Sequence, residues 1–369
     1  MSKTTAVLPG LLFPANPYTT ETMNTLARIA IPLVLLVFLA APQPLRAEGE
    51  LRLADLGDFR LESGQVIREC RLGYRTFGTL NPERSNAILF PTWFGGTSKD
   101  LVDLGFIGPS RLADTSRWFV VAVDAFGNGV SSSPSNSRKQ PGRTFPEFTV
   151  RDMVKAQHQM LAKYPGLGRL HAVIGISMGG MQAFQWMLSY PGFAQRAVSI
   201  VGTPRAAPSD LVLFDTGLRA IDTLNAIREG DALGPEGSAA LLALAALTPE
   251  FYLKNLSRSD VTRALDGAQD ILMKYSLTDW AWQLKAMTGH NIYRRPVTTE
   301  KEAAGAIRTK LLVIVSRNDF LVNPEPSLAL AGSLKAETLV LQGECGHFSV
   351  VCEPDKITSA TASFLNRRD

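Results

Sequence analysis

Val173-Ile174-Gly175-Ile176-Ser177-Met178-Gly179-Gly180-Met181-Gln182-Ala183-Phe184-Gln185-Trp186 decides how the rest of the chain is read. An apolar run stops at a G-x-S-x-G pentapeptide, and a helix-compatible segment follows without a break. This is the layout of a nucleophile elbow, a sharp strand-to-helix turn that projects a serine hydroxyl. Gly175 and Gly179 suit it, because glycine accepts backbone bends that a Cβ forbids. Glycine and serine also gather in ordinary turns, so the pentapeptide takes its meaning from its place between strand and helix.

Outward from the elbow the pattern alternates. His171 to Ile174 reads as a strand, Gly180 to Tyr190 as a helix and Ala197 to Val201 as the next strand. Upstream, Leu51 to Tyr74 holds two alternating segments around Ser63-Gly64, the mark of a hairpin. Ala87 to Phe90 and Trp118 to Val123 are short apolar strands, and helical spacing runs from Thr149 through Leu161. The polar loop from Asp124 to Pro146 reads as part of a site rim, and His158 as a surface residue. Strands alternating with helices predict an α/β fold whose mostly parallel sheet is covered on both faces. From about 203 to 305 the strand rhythm stops, and Ala-rich and Leu-rich stretches broken by glycine predict an inserted helical lid. Leu311 to Val315 and Thr338 to Leu341 restore the sheet.

Those last two strands are followed by Ser316-Arg317-Asn318-Asp319 and Gly343-Glu344-Cys345-Gly346-His347. An acid after one strand and a histidine after the next complete the chain order Ser, Asp, His that a nucleophile elbow requires. A serine hydroxyl is a weak nucleophile near neutral pH and needs a base. His347 fits that part, and Asp319 fits the acid that holds its imidazole in one tautomer. The backbone N–H groups of Trp93, in the turn Thr92-Trp93-Phe94-Gly95-Gly96-Thr97, and of Met178 are the expected oxyanion donors. The plainer alternatives are a loop acid, a structural histidine and a tight turn with Trp93 as packing. Trp280 and Trp282 in the insertion suit either a substrate pocket or plain core, and His290 suits a polar group in that pocket.

Composition excludes several classes. The 369 residues carry a net charge of only +4, with Lys and Arg scattered, which gives nucleic-acid binding little support. Three cysteines and four histidines form no ligand pattern, so no metal is expected. Cys345 and Cys352 bracket His347 and either pair in an oxidising compartment or remain free thiols. Residues 1–22 read as a disordered leader and 23–47 as a secretory signal, with Arg28 ahead of the apolar run Ile29 to Ala41. That run is shorter than the roughly 20 residues of a membrane span, and an uncleaved N-terminal anchor is the alternative. The folded part then begins at residue 48 and runs to 369, and the protein is expected to be secreted or periplasmic.

Four segments together carry a family resemblance: Leu72 to Asn81, Val150 to Gln157, Gly175 to Gln182, and the Asp319 and His347 segments. Over nearly all of residues 51 to 366 the chain resembles the homoserine O-acetyltransferase family of α/β-hydrolases. The resemblance implies an acyl-Ser177 intermediate formed by Ser177, His347 and Asp319, with no cofactor, and a possible homodimer through the lid. Two positions depart from the family. Phe348 stands where the family has an Asp after the histidine, and Leu242 stands, in an ungapped reading, where the lid carries an Arg for the acceptor carboxylate. A charged amino acid buried without partners costs heavily, which disfavours homoserine. Arg205 and Arg219 are the remaining candidates for a carboxylate contact. The expectation is a secreted serine hydrolase of a carboxylic ester, with an acyltransferase and a catalytically silent binding protein as alternatives.

Overall fold

The computed structural model of the chain describes residues 49–163, 167–226, 245–260 and 276–367. The leader, the signal segment and Leu242 lie outside the described residues. Strands β1 (Arg52–Arg60) and β2 (Val66–Phe77) form the expected hairpin. Next come β3 (Ala87–Pro91), helix α1 (Ser98–Asp103), the two-residue strands β4 (Ile107–Gly108) and β5 (Ala113–Asp114), and β6 (Phe119–Val123). Helix α2 (Val150–Lys163), β7 (Leu170–Ile176), α3 (Met178–Ser189) and β8 (Ala194–Ile200) carry the chain to the insertion. After it come β9 (Lys310–Ser316) and β10 (Glu337–Leu341).

Eight strands make one sheet in the order β1-β2-β6-β3-β7-β8-β9-β10. The hairpin and the β2–β6 pair are antiparallel, and every later neighbour is parallel. Side-chain alternation explains why the inner strands are apolar throughout. Leu89, Val121 and Val123 enter the core under α2 and α3, together with Met153, Met160 and Trp186. Their neighbours Ile88, Phe90, Val120 and Ala122 enter a second core on the opposite face, with Leu101 of α1. That face also buries Ile357, Phe364 and Leu365 of the C-terminal helix. Both faces are buried, so period-two polarity disappears from these strands.

Among the described residues between β8 and β9 there are helices and no strand: α4 (Pro208–Ala226), α5 (Pro249–Asn255), α6 (Leu277–Thr288) and α7 (Glu300–Ala306). The apolar residues Phe214 and Ile221 of α4 share a core with Leu284 and Met287 of α6. Beyond β9 stand α8 (Glu325–Leu334), the short α9 (Ser349–Cys352) and α10 (Pro354–Leu365).

The polar loop after β6 is largely internal. Asp124, Asn128, Ser131 and Ser133 are buried. Ser131 Oγ accepts from Gly73 N at 2.9 Å and donates to Asp124 O at 2.7 Å, while Asn128 Nδ2 donates to Gly96 O at 3.0 Å. Its polar residues bond one another and the neighbouring backbone, which is how a serine-rich and asparagine-rich segment can be internal.

Candidate active site

The elbow is a steric device. A Cβ on Gly175 would stand 1.9 Å from Gly179 O, and one on Gly179 would stand 2.6 Å from Pro91 O. Only glycine at both positions lets β7, α3 and the end of β3 approach this closely. Between them Ser177 holds φ 55° and ψ −121°, a conformation that costs a non-glycine residue about 1–3 kcal/mol. The surroundings hold it there: Ser177 N donates to Ile200 O at 2.8 Å and Met181 N to Ser177 O at 3.0 Å. Helix α3 therefore starts at Met178, two residues before the glycine from which helical spacing is read.

Asp319 and His347 arrive from the ends of β9 and β10. His347 Nε2 lies 2.9 Å from Ser177 Oγ, and His347 Nδ1 lies 2.7 Å from Asp319 Oδ2. The other carboxylate oxygen, Oδ1, accepts from Leu321 N and Val322 N, each at 2.9 Å. All three side chains are buried. A donor-filled carboxylate on one side and a serine on the other leave the ring one sensible arrangement, Nδ1–H toward Asp319 and Nε2 free to accept from Oγ.

The loop bearing His347 is held by contacts outside the sheet. Cys345 and Cys352 are disulfide-bonded, which decides between the two alternatives for these thiols. Thr248 Oγ1, at the start of α5, donates to Glu344 O. Gly346 has φ 54°, and a Cβ there would lie 3.0 Å from Ala246 O and 3.1 Å from Asn318 O.

The proposed oxyanion donors lie on the two segments that meet at the elbow. Thr92 N donates to Val123 O at 3.0 Å and Thr92 Oγ1 accepts from Ala125 N at 3.0 Å, fixing the turn that carries Trp93. Among the described residues, no acceptor takes the N–H of Trp93 or of Met178. The indole of Trp93 packs edge-on against Phe106 with ring centroids 5.8 Å apart.

Other residues singled out in the sequence fall elsewhere. Phe348 is half-buried and packs with Leu247, Phe251 and Cys345, against the insertion. Trp280 packs at a tilt against Phe94, ring centroids 4.7 Å apart, and lines a cavity of about 230 Å³ with Gly95, Gly127, Gly129 and Asp279; Ser177 is not among its walls. Trp282 is core: its Nε1 donates to Phe145 O at 3.0 Å. Arg219 is exposed and pairs with Asp215 one turn away, and Arg205 lies over the Tyr293 ring, so the structure brings neither to Ser177. His158 stacks on Tyr190 with ring centroids 3.8 Å apart, a half-buried packing residue where a surface one was expected. His290 is buried and its Nε2 donates to Thr203 O at 3.0 Å, which ties the insertion's end to the end of β8. Gln157 and Gln182 were not singled out, although both belong to the resembling segments; their signal is a glutamine on the apolar face of a helix. Both are fully buried.

A family profile described as the alpha/beta hydrolase fold matches residues 88–354. An ethyl acetate hydrolase of Pseudomonas veronii is 38% identical over 212 residues, 55% of this chain; the chain spans 60% of that protein's length. A homoserine O-acetyltransferase of Methanosphaerula palustris is 33% identical over 360 residues, covering 83% of this chain and 71% of that one. The solved structure of the acetyl esterase MekB, 28% identical, matches with a TM-score of 0.79 over 87% of this chain and 98% of its own.

Two predictions come from this geometry. Burial holds the His290 imidazole well below the ordinary 6.5, at about 3, with Arg294 and Arg151 acting the same way. Between these values the unfolded chain takes up a proton that the native state refuses, so His290 makes stability fall as pH falls from about 6.5 toward 3. In thermal melts, the gap between wild type and His290→Gln should therefore shrink from pH 7 to pH 5; a constant gap contradicts it. Second, the Cys345–Cys352 bridge closes a short loop and should contribute roughly 2–3 kcal/mol by the chain-entropy relation. Urea unfolding of the Cys345→Ala, Cys352→Ala double variant measures it, and unchanged stability would refute that contribution.

Proposed function

The chain belongs to the α/β-hydrolase fold family, in its homoserine O-acetyltransferase-like branch, and from that premise we propose that it is an exported serine esterase that hydrolyses short-chain carboxylic esters. The observation that carries this reading is the hydrogen-bonded line from Ser177 Oγ through the His347 ring to Asp319. Ser177 Oγ attacks the ester carbonyl carbon as its proton passes to His347 Nε2. The resulting oxyanion accepts from the N–H groups of Trp93 and Met178. Collapse of the tetrahedral intermediate breaks the bond to the alcohol oxygen, which leaves with the proton from Nε2. Water then attacks the acyl-Ser177 carbonyl, gives a proton to Nε2, and the carboxylic acid departs as Ser177 recovers its proton. Throughout, Asp319 accepts from Nδ1–H and stabilises the imidazolium while it exists.

Water is favoured as the acceptor over an amino acid. Phe348, packed among apolar residues beside His347, offers no carboxylate to an acceptor amine. The names of an ethyl acetate hydrolase and an acetyl esterase among the relatives support an acetyl-sized acyl group. Transfer to an alcohol is the second reading, supported by the 33% identity to a homoserine O-acetyltransferase over most of both chains. Export is supported by the signal-like segment 23–47 and by the disulfide, since such bonds persist in oxidising compartments. No helix among the described residues is long and apolar enough to cross a membrane.

Wild type should hydrolyse p-nitrophenyl acetate and take a fluorophosphonate label. Ser177→Ala should lose the label and about 10⁴-fold or more in kcat; equal labelling of both proteins would sink the esterase reading. Acyl product formed only when homoserine and acetyl-CoA are both present would replace hydrolysis by transfer. Expressed from its full sequence in a Gram-negative host, the protein should be recovered from the periplasm with its N-terminus near Glu48. Retention in the cytoplasm with residues 23–47 intact would refute export.

A further inference from the structure

A buried chain of side-chain amides runs from the core to the oxyanion turn. Trp186 Nε1 donates to Gln157 Oε1 at 2.7 Å, Gln157 Nε2 donates to Gln182 Oε1 at 2.6 Å, and Gln182 Nε2 donates to Thr92 O at 3.0 Å. Gln182 Nε2 also reaches Met178 O at 3.2 Å, so one amide touches both segments that carry oxyanion donors. Gln157, Gln182 and Thr92 are fully buried, and Trp186 is 1% exposed.

The direction of this chain is fixed at both ends. An indole N–H can only donate, and a backbone carbonyl can only accept. Gln157 must therefore present its oxygen to Trp186 and its nitrogen to Gln182, and Gln182 in turn must present its nitrogen to Thr92. The carbonyl of Thr92 belongs to the same peptide unit as the N–H of Trp93. In a trans peptide these two groups point in opposite directions. Holding Thr92 O toward Gln182 thus aims Trp93 N–H the other way, out of the core. Hydrogen bonds aligned head to tail polarise one another, so the line also makes Trp93 N–H a stronger donor.

Resting on the esterase reading, we propose that Gln182, backed by Gln157 and Trp186, is a positioning residue that sets and polarises the oxyanion donor at Trp93. A purely structural role for the glutamines would affect folding stability. The proposed role affects the transition state, where the oxyanion exists, more than the bound substrate.

The test is steady-state hydrolysis of p-nitrophenyl acetate by wild type, Gln182→Met and Trp186→Phe, with folding followed by circular dichroism. Gln182→Met should lower kcat by about 10-fold to 30-fold, part of the hundredfold or more that a whole oxyanion donor supplies. KM should stay within about twofold. Inhibition by a trifluoromethyl ketone, which forms an oxyanion on Ser177, should weaken in parallel with kcat. Trp186→Phe removes the remote donor while keeping an aromatic ring in the core, and should lower kcat by about 2-fold to 5-fold with KM again unmoved. If Gln182→Met does not fold, Trp186→Phe decides. Folded variants with wild-type kcat, or a loss confined to KM, overturn the relay while the esterase reading stands. A wild type that cleaves no ester overturns that reading, and the relay falls with it.

Discussion

The placement of Ser177 depends on one backbone contact, the approach of Gly179 O to a point 1.9 Å from where a Cβ of Gly175 would be. The contact folds α3 back over the end of β7 and leaves Ser177 no ordinary conformation. It also fixes the start of α3 beside the end of β3, because the Gly179 Cβ position is 2.6 Å from Pro91 O. One tight joint thereby sets Ser177, the N–H of Met178 and the distance to the turn bearing Trp93. A strained serine is stable there because the cores on either side of β7 determine the paths of strand and helix independently of it.

The sheet supplies the remaining placement. Parallel strands all present their carboxyl ends at one edge, so the segments after β3, β7, β9 and β10 converge there. Ser177 and His347 are 170 positions apart in sequence and 2.9 Å apart in space for this reason. That convergence made much of the site legible before any coordinates: apolar runs locate strands, chain order locates their ends, and chemically apt residues at those ends are few.

Side chains inside helices were harder to read. Gln157, Gln182 and His158 occupy helical positions where a polar residue is ordinarily solvated, and only tertiary partners reveal their burial. Trp186 gives the first glutamine a donor, Thr92 gives the second an acceptor, and Tyr190 gives the histidine a ring to stack on. The burial of the serine-rich loop after β6 is hidden in the same way. Its polar composition resembles a surface, whereas Ser131, Asn128 and Asp124 satisfy one another internally. Cysteine spacing left the bridge undecided because pairing depends on the backbone path between Cys345 and Cys352, which a short helix supplies.

The position after the histidine joins specificity to stability. In the resembling family it carries an acid that meets the acceptor amino acid; here Phe348 packs with Leu247, Phe251 and Cys345 instead. An aspartate at this point would place a charge among apolar neighbours, on the loop that carries His347, and burying an unpaired charge is costly. Phe348 therefore serves as an apolar anchor at this position. The sheet rigidly fixes Ser177, and backbone donors rigidly fix Asp319, but His347 stands on a loop beyond the last strand. Phe348, the disulfide and the Thr248 contact do for that loop what the sheet does for the other two. Apolar contact at Phe348 therefore contributes to holding His347 in place.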